Sequence, residues 1–351
     1  MSKNAPAIPS CTIGVDLGDR TSAICVLDAQ GHVREQGAIK TTADAVTTRL
    51  TRYPASRVVL EVGTHSPWVS RHLQTRGAEV FVANPSAMYG ARRRQRNARR
   101  DAEFLARQGR ADPTLLHAIT HRSATAQAHL ETLRARDQVV RARTALITHV
   151  RGVVKSLGAR LPAASADAFA RTVRDAIPAV VHTAVTPLLA TITALTAQIH
   201  AYDTEIQTVI RTHYPVAQRL QQIAGVGPIT ALTFVLLVED PARFAHSRDV
   251  GAYFGLVPRL DESSSATPQL GITKAGDPLA RRLLVSAAHY ILGPFGPPCD
   301  LRRHGEGIAA RGGTNAKKRA VVAVARKLAV LLHRLWVTDV PYVPDFTQRA
   351  A

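Results

Sequence analysis

The order in which extended and helical patterns follow one another over the first hundred residues restricts the fold more than any other feature of this chain. Cys11 to Leu17 alternates, with Ile13, Val15 and Leu17 on one side and Thr12, Gly14 and Asp16 on the other, which is the period of a strand. Thr21 to Asp28 and His32 to Ile39, separated by the turn residues Gln30 and Gly31, continue from it as a hairpin. A helical stretch, Thr42 to Arg52, comes next. The continuous apolar run Val58-Val59-Leu60 then ends in Glu61, the pattern of a buried central strand with its polar residue at the carboxyl end. Residues 67 to 76 fit a helix and Glu79 to Val82 a strand. The order βββ-α-β-α-β, complete before a basic segment begins at Arg92, is that of a ribonuclease-H-like mixed α/β sheet.

Beyond residue 122 the pattern becomes helical. No proline occurs from Ser123 to Leu157, and Leu133, Val140, Ile147 and Val154 recur every seven residues, which predicts a long helix. Leu188, Ile192, Leu195, Ile199, Tyr202, Ile206 and Val209 keep a 4-3 alternation between Pro187 just before and Pro215 just after, with the Pro- and Ala-rich stretch 161 to 187 joining the two helices. The heptad suits an intramolecular hairpin and a coiled-coil dimer arm alike, and the dimer arm is the expectation carried forward. After Pro215 short helices alternate with Gly/Pro turns, and a last long helix runs from Thr314 to Trp336. The expected domains are therefore 1–122 (α/β), 123–215 (helical arm) and 216–351 (mostly helical).

Composition narrows the function. The 351 residues carry 45 Lys+Arg against 26 Asp+Glu, a formal charge of +19, while 46% hydrophobic residues supply real cores. Such an excess favours phosphate-rich partners through counterion release. The apolar stretches Ile229 to Val238 and Val321 to Leu332 are too short to span a bilayer, so no membrane partner is expected. Residues 1 to 10 lack a hydrophobic signal core, and the expected location is the cytoplasm. Cys11, Cys25 and Cys299 form no ligand-spaced pair and are expected to be reduced and structural.

Asp16 closes the first strand and Glu61 the central one, and open α/β sheets place their sites at those carboxyl ends. Asp101 opens a predicted helix, Asp101 to Arg107. Three carboxylates brought together by a sheet and a helix suit magnesium, a hard cation that prefers oxygen ligands and leaves positions for phosphate. Each is equally at home in a structural role, as a turn residue, a strand-end polar residue and a helix-N-terminal acid. Arg92, Arg93, Arg94, Arg96, Arg99 and Arg100 crowd the segment before Asp101, and Arg319, Arg326, Lys327 and Arg334 follow one side of the last helix. Ile223-Ala224-Gly225-Val226-Gly227-Pro228 has the form of a helix-hairpin-helix, whose amides near Gly225 and Gly227 suit a backbone phosphate, and equally of an ordinary helix-helix turn.

With these residues in view, the chain resembles the DEDD-type insertion-sequence transposases of the IS-one-ten family. The resemblance rests on VDLG at Asp16, EVGTH at Glu61, RNARRDAEFLARQGRADP at Asp101, the helix RARDQVVRARTALITHVRGVVKSLG, and IAGVGPITA, YFGLVP, LGITKAGDPLARRLL and GGTNAKKRAVVAVARKLAVLLHRLW. It implies a RuvC-like domain with an acidic tetrad and two-metal magnesium chemistry, a helical dimerisation arm, with dimer and tetramer on DNA both left open, and a C-terminal domain carrying a catalytic serine. It also implies guidance by a structured RNA, with element ends and target DNA as substrates. Lys274, Arg281 and Arg282, together with Lys317 and Lys318, join the candidate nucleic-acid contacts through these segments.

Two positions depart from the family pattern. The third acid falls on Ala98, at i, i+3 from Asp101, so one ligand is missing and magnesium is expected to bind more weakly. The family's reactive serine, followed by glycine a few residues past GLVP, matches Ser263, but Ser264 replaces the glycine. Read locally, Ser263-Ser264-Ser265 is a polar loop. The implied function is a recombinase using Asp16, Glu61, Asp101 and Ser263. The alternatives are a junction-resolving nuclease that uses the carboxylates alone and a copy that binds nucleic acid without cutting.

Overall fold

The computed structural model describes residues 9–84, 97–259 and 270–345. The chain divides into two compact units, Met1–Arg122 and Ser123–Ala351. The first holds β1 (Cys11–Asp16), β2 (Thr21–Asp28), β3 (Val33–Lys40), α1 (Ala43–Leu50), β4 (Arg57–Glu61), α2 (Ser66–Gln74), β5 (Glu79–Ala83) and α3 (Ala98–Ala111). Its sheet has the order β3-β2-β1-β4-β5. The β1-β2-β3 ribbon is antiparallel, while β4 pairs parallel with β1 and β5 parallel with β4.

Period-2 alternation sends the central strands' side chains to two different layers. Ile13, Val15, Ile24, Val26, Val58 and Leu60 pack with Val46 and Leu50 of α1 and Val69 and Leu73 of α2. The opposite face presents small residues, and α3 lies on it: Ala23, Cys25 and Leu27 meet Ala102 and Ala106, while Val59 and Ala83 meet Leu105. The approach is so close that a Cβ on Gly14 would sit 1.9 Å from the Ala102 carbonyl oxygen and 2.6 Å from the Ala106 nitrogen. Only glycine permits a helix backbone to rest on a strand in this way. The other end of α3 is fastened by Arg57, whose Nη1 donates to the Gly109 carbonyl at 2.9 Å and whose Nε donates to Glu79 at 2.8 Å.

The helix carrying Asp101 begins three residues before the expected Asp101 and runs to Ala111. Asn97 caps it, its side chain accepting from the Arg99 amide at 3.1 Å.

The second unit contains α4 (Ala124–Ser156), α5 (Phe169–Val173), α6 (His182–His213), α7 (Pro215–Leu220), α8 (Pro228–Val238), α9 (Val250–Tyr253), α10 (Pro278–Leu292), α11 (Asp300–Ala310) and α12 (Ala316–Thr338). Here α4 and α6 run antiparallel. Arg136 pairs with Asp203 at 2.6 Å, Arg143 donates to Thr196 at 3.2 Å, and Val150 and Val154 share a cluster with Leu189 and Val185. Each seven-residue step along one helix is thus matched by seven back along the other. The buried seam of α6 is Val185, Leu189, Ile192, Thr196, Ile199, Ile206, Val209 and Ile210. Leu188, Leu195 and Tyr202, which the heptad placed in the seam, are only half-buried.

Pro187 lies inside α6 rather than before it. It removes one amide donor near the start of a 32-residue helix, and the turns that follow continue the ladder. Among the described residues one stretch, Ala179–His213, is long and apolar enough by length and composition to cross a membrane, longer than either apolar run expected from the sequence. Its buried stripe faces α4 of the same chain. The last helix starts at Ala316 rather than Thr314, and α8 is buried all round from Thr230 to Val238 at the centre of the C-terminal core. All three cysteines are free and buried.

Replacing Gly14 by alanine forces two backbones apart and is expected to destabilise the first unit by about 3 kcal/mol, the upper range for overpacking. Replacing the exposed Gly63, whose added Cβ would meet nothing within 4 Å, is expected to shift stability far less. Thermal melting of the two variants side by side checks the difference.

Candidate active site and nucleic-acid interface

Parallel pairing of β1 with β4 sets Val15 opposite Leu60, so the next residues, Asp16 and Glu61, are neighbours at the carboxyl ends of two adjacent strands. Asp16 shares a face with Gly14, and Glu61 shares one with Val59. Both therefore project on the side covered by α3, where Asp101 immediately precedes the Ala102 that rests on Gly14. Asp16, Glu61 and Asp101 are each partly buried. Position 98, one turn before Ala102, continues the sheet-facing side of α3 past the edge of the strands and is exposed. Among the described residues no group of three or more His, Cys, Asp or Glu side chains closes into a metal-binding cluster. What the fold assembles is an acidic pair on adjacent strands with Asp101 on the helix above.

Next to this edge, the turn after Glu61 is tightly tied. Ser66 is fully buried; its hydroxyl donates to the Gly63 carbonyl at 2.8 Å and accepts the Gly63 amide at 3.0 Å. His121 Nε2 lies 2.9 Å from the same oxygen. The one hydroxyl hydrogen is committed to Gly63, so His121 is the donor. Burial, and then Arg71 and Arg122, hold the His121 imidazole below its ordinary value.

Of the arginine cluster, Arg99 and Arg100 are exposed in the first turn of α3, whereas Arg92, Arg93, Arg94 and Arg96 lie outside the described residues.

In the second unit the serine loop is framed by a short pairing of its stems. Pro258 bridges Ile272, the Arg259 amide donates to the Gly271 carbonyl at 3.0 Å, and the Thr273 amide donates to the Val257 carbonyl at 2.9 Å. Ser263 itself lies outside the described residues. Beside these stems is a groove of about 700 Å³. Leu256, Ile272, Ile308 and Val322 give it an apolar lining, and the exposed Arg311, Lys318, Arg319 and Arg326 give it charge. Sequence reasoning missed Arg311 and the groove itself, because the walls come from segments 36 to 70 residues apart in the chain.

The other nominated cations separate into kinds. Lys274, Lys317 and Lys327 are exposed, but Lys327 and Arg334 line a different cavity, of about 620 Å³, with Tyr342 and Pro344. Arg281 is held by the fold: its Nη1 donates to the carbonyls of Ala275 at 2.7 Å and Phe254 at 3.2 Å. Arg282 pairs with Asp137 of α4. Gly225 adopts φ +86°, and a Cβ there would meet the Ala287 carbonyl and the Tyr290 ring, so this glycine serves packing. Gly227 is exposed and caps α8, with Pro228 in its first turn.

Comparison with known proteins accords with this architecture. A family model described as a DEDD transposase matches residues 13–158, and the transposase IS116/IS110/IS902 family matches residues 217–298. The transposase for insertion sequence element IS1111A of Coxiella burnetii is 27% identical over 94% of this chain and 90% of its own length. A probable family 20 transposase of Pseudomonas aeruginosa is 28% identical over 95% and 98%. The transposase for insertion sequence element IS1328 of Yersinia enterocolitica is 27% identical over 81% and 85%. The chain belongs to the IS110 family of DEDD insertion-sequence transposases. Membership implies a ribonuclease-H-like fold for the five-stranded sheet and a divalent metal.

The donor set fits such a metal in one particular form. Magnesium is commonly held by one or two carboxylates, with substrate phosphate and water completing its shell. Asp16 and Glu61, adjacent on one face, offer that pair of oxygen donors.

Exposed cations and held ones should behave differently on nucleic acid. Changing Arg311 and Arg326 together to glutamine is expected to reduce the slope of log affinity against log salt by about two units for duplex DNA. Arg281→Gln should leave the slope unchanged and lower the melting temperature instead. Binding isotherms at several salt concentrations, with melts of the same variants, check both.

Proposed function

We propose that this chain, an insertion-sequence transposase and so an enzyme acting on DNA, cuts and rejoins DNA through Asp16, Glu61 and Asp101 in the first unit and Ser263 in the second. The observation that carries this reading is the pairing of β1 with β4, which sets two carboxylates side by side beneath the helix bearing Asp101. Magnesium, when bound by Asp16 and Glu61, neutralises charge on a phosphodiester. Asp101, on the fourth residue of α3, adds a third oxygen donor from above. Ala98 leaves the next helical position without one, so magnesium binds less tightly than with a full tetrad.

Ser263 supplies the covalent step. Its hydroxyl oxygen bonds to phosphorus, the 3′ oxygen leaves, and one proton passes from the serine to the leaving oxygen. One phosphodiester is exchanged for another, so rejoining needs no outside energy source. The groove beside the loop stems holds the DNA backbone through Arg311, Lys318, Arg319 and Arg326, with Arg99 and Arg100 doing so in the first unit. The turn at Gly227 works as a helix-hairpin-helix, with the amide of this exposed residue receiving a phosphate. A structured RNA guides target choice. The hairpin of α4 and α6 serves as the dimer arm, using Leu188, Leu195 and Tyr202, which the intramolecular seam leaves half-exposed. On this view 123–215 and 216–351 work as separate functional parts.

Incubating the protein with its flanking non-coding RNA, element-end DNA and magnesium is expected to give a serine-linked DNA product. Ser263→Ala should abolish the adduct and recombination. An adduct that persists in Ser263→Ala would remove the serine from the mechanism. An adduct-free cut product would favour the nuclease. A wild-type protein that binds but makes no cut, when Ala98→Asp does cut, would favour the non-cutting copy. Within an active protein, Ala98→Asp should lower the magnesium concentration for half-maximal cleavage by about tenfold, as an added carboxylate ligand does elsewhere.

A further inference from the structure

The turn that follows Glu61 ends in His65, a side chain that the chemistry above does not use. Because β1 and β4 are parallel neighbours, the segments leaving Asp16 and Glu61 emerge at the same end of the sheet. His65 stands there, at the N-cap of α2, on the turn fixed by Ser66 and His121.

Its ring is oriented by one bond. The Trp68 Nε1–H donates to His65 Nδ1 at 3.0 Å, with the two rings edge to face at 6.2 Å. The Trp68 ring is packed against the sheet core and meets His72 on its far side at 6.1 Å. An indole nitrogen can only donate, so His65 Nδ1 must present its lone pair and the ring proton must reside on Nε2. His65 therefore keeps Nδ1 as an acceptor and Nε2–H as a donor.

Nε2 makes no hydrogen bond among the described residues; its ion-pair neighbour is Asp19 Oδ1, 3.6 Å away on a side chain 92% exposed. His333 provides the contrast within the same chain: it is buried, and both its nitrogens are used, Nδ1 with Ser247 at 2.9 Å and Nε2 with the Pro241 carbonyl at 3.0 Å. A structural histidine satisfies both ends. His65 commits one and leaves the other beside Asp19, in the turn that follows β1 at the same end of the sheet as Asp16 and Glu61.

We propose that His65 is a further catalytic residue, donating its Nε2–H to a non-bridging oxygen of the phosphodiester at the carboxylate edge, with Trp68 as the positioning residue that fixes its tautomer. The assignment rests on the reading of Asp16 and Glu61 as part of the reaction centre. A fixed N–H donor needs no proton transfer to act, and it strengthens its hydrogen bond as negative charge gathers on the phosphoryl oxygens.

Two measurements on the full chain test it. Imidazole ¹⁵N spectra of histidine-labelled protein should show His65 protonated on Nε2 and bare on Nδ1, and Trp68→Phe should mix the two tautomers. A proton on Nδ1 in the wild type overturns the proposal. With flanking RNA, element-end DNA and magnesium chloride, His65→Ala should slow cleavage about a hundredfold, the loss typical of a removed oxyanion donor, with DNA affinity unchanged. His65→Gln, whose amide can donate from a similar place, should stay within about tenfold of wild type. If His65→Ala does not fold, Gln and Glu at this position decide: equal rates for donor and acceptor overturn the proposal. Wild-type rates in His65→Ala, with cleavage lost in Asp16→Asn, overturn the role of His65 alone. Wild-type rates in both variants remove the carboxylate reading as well.

Discussion

The contact on which the first unit depends is the one between two backbones, where α3 rests on β1 at Gly14. A helix normally stands off a sheet by the thickness of its side chains. Here the missing Cβ of Gly14 and the small Ala102 and Ala106 let it settle to near backbone contact. Everything at the acidic edge inherits that placement. Asp101 precedes Ala102 directly, position 98 is carried past the strand ends, and Arg57 fastens the far end so that the helix cannot pivot. A helix one side chain higher would carry Asp101 farther from the strand-end carboxylates whatever its sequence.

The second unit solves a different problem, that of holding a large positive charge without scattering it. Several arginines are spent on the fold itself: Arg281 ties two loop carbonyls, Arg302 gathers those of Ile291, Gly293 and Gly296 at the end of α10, and Arg136 and Arg143 pin the hairpin. Four of the cations that remain exposed are grouped. Arg311, Lys318, Arg319 and Arg326 share one groove with apolar walls, next to the paired stems of the loop that contains Ser263. Positive charge gathered over an apolar surface suits a polymer with a charged backbone and flat, apolar bases.

Much of this was legible in the residues because local periodicity reports local structure. The alternation through Ile13 and Val15, the apolar run into Glu61 and the long proline-free stretch from Ser123 each indicated the element that forms there. Hydrogen-bond competition was harder to read. Asn97 starts α3 three residues early, and Pro187 is absorbed by a helix long enough to tolerate it. Long-range pairing was not legible at all. No pattern in the sequence shows that Gly14 would receive a helix, that Arg281 and Arg282 would be occupied while Arg311 stayed exposed, or that Trp68 would direct its indole to His65. Each depends on a partner chosen by the tertiary fold.

The antiparallel match of α4 with α6 has a geometric consequence. Arg136 meets Asp203 and Arg143 meets Thr196, so the two helices keep count against each other like the two scales of a slide rule. Lengthening one helix by a few residues would slip every later pair to a wrong face, whereas adding seven to each would leave all existing pairs intact. The reach of the hairpin is therefore quantised: it can grow or shrink by about 10 Å at a time, the rise of two helical turns. Whatever distance it spans between the parts it connects can change only in those increments.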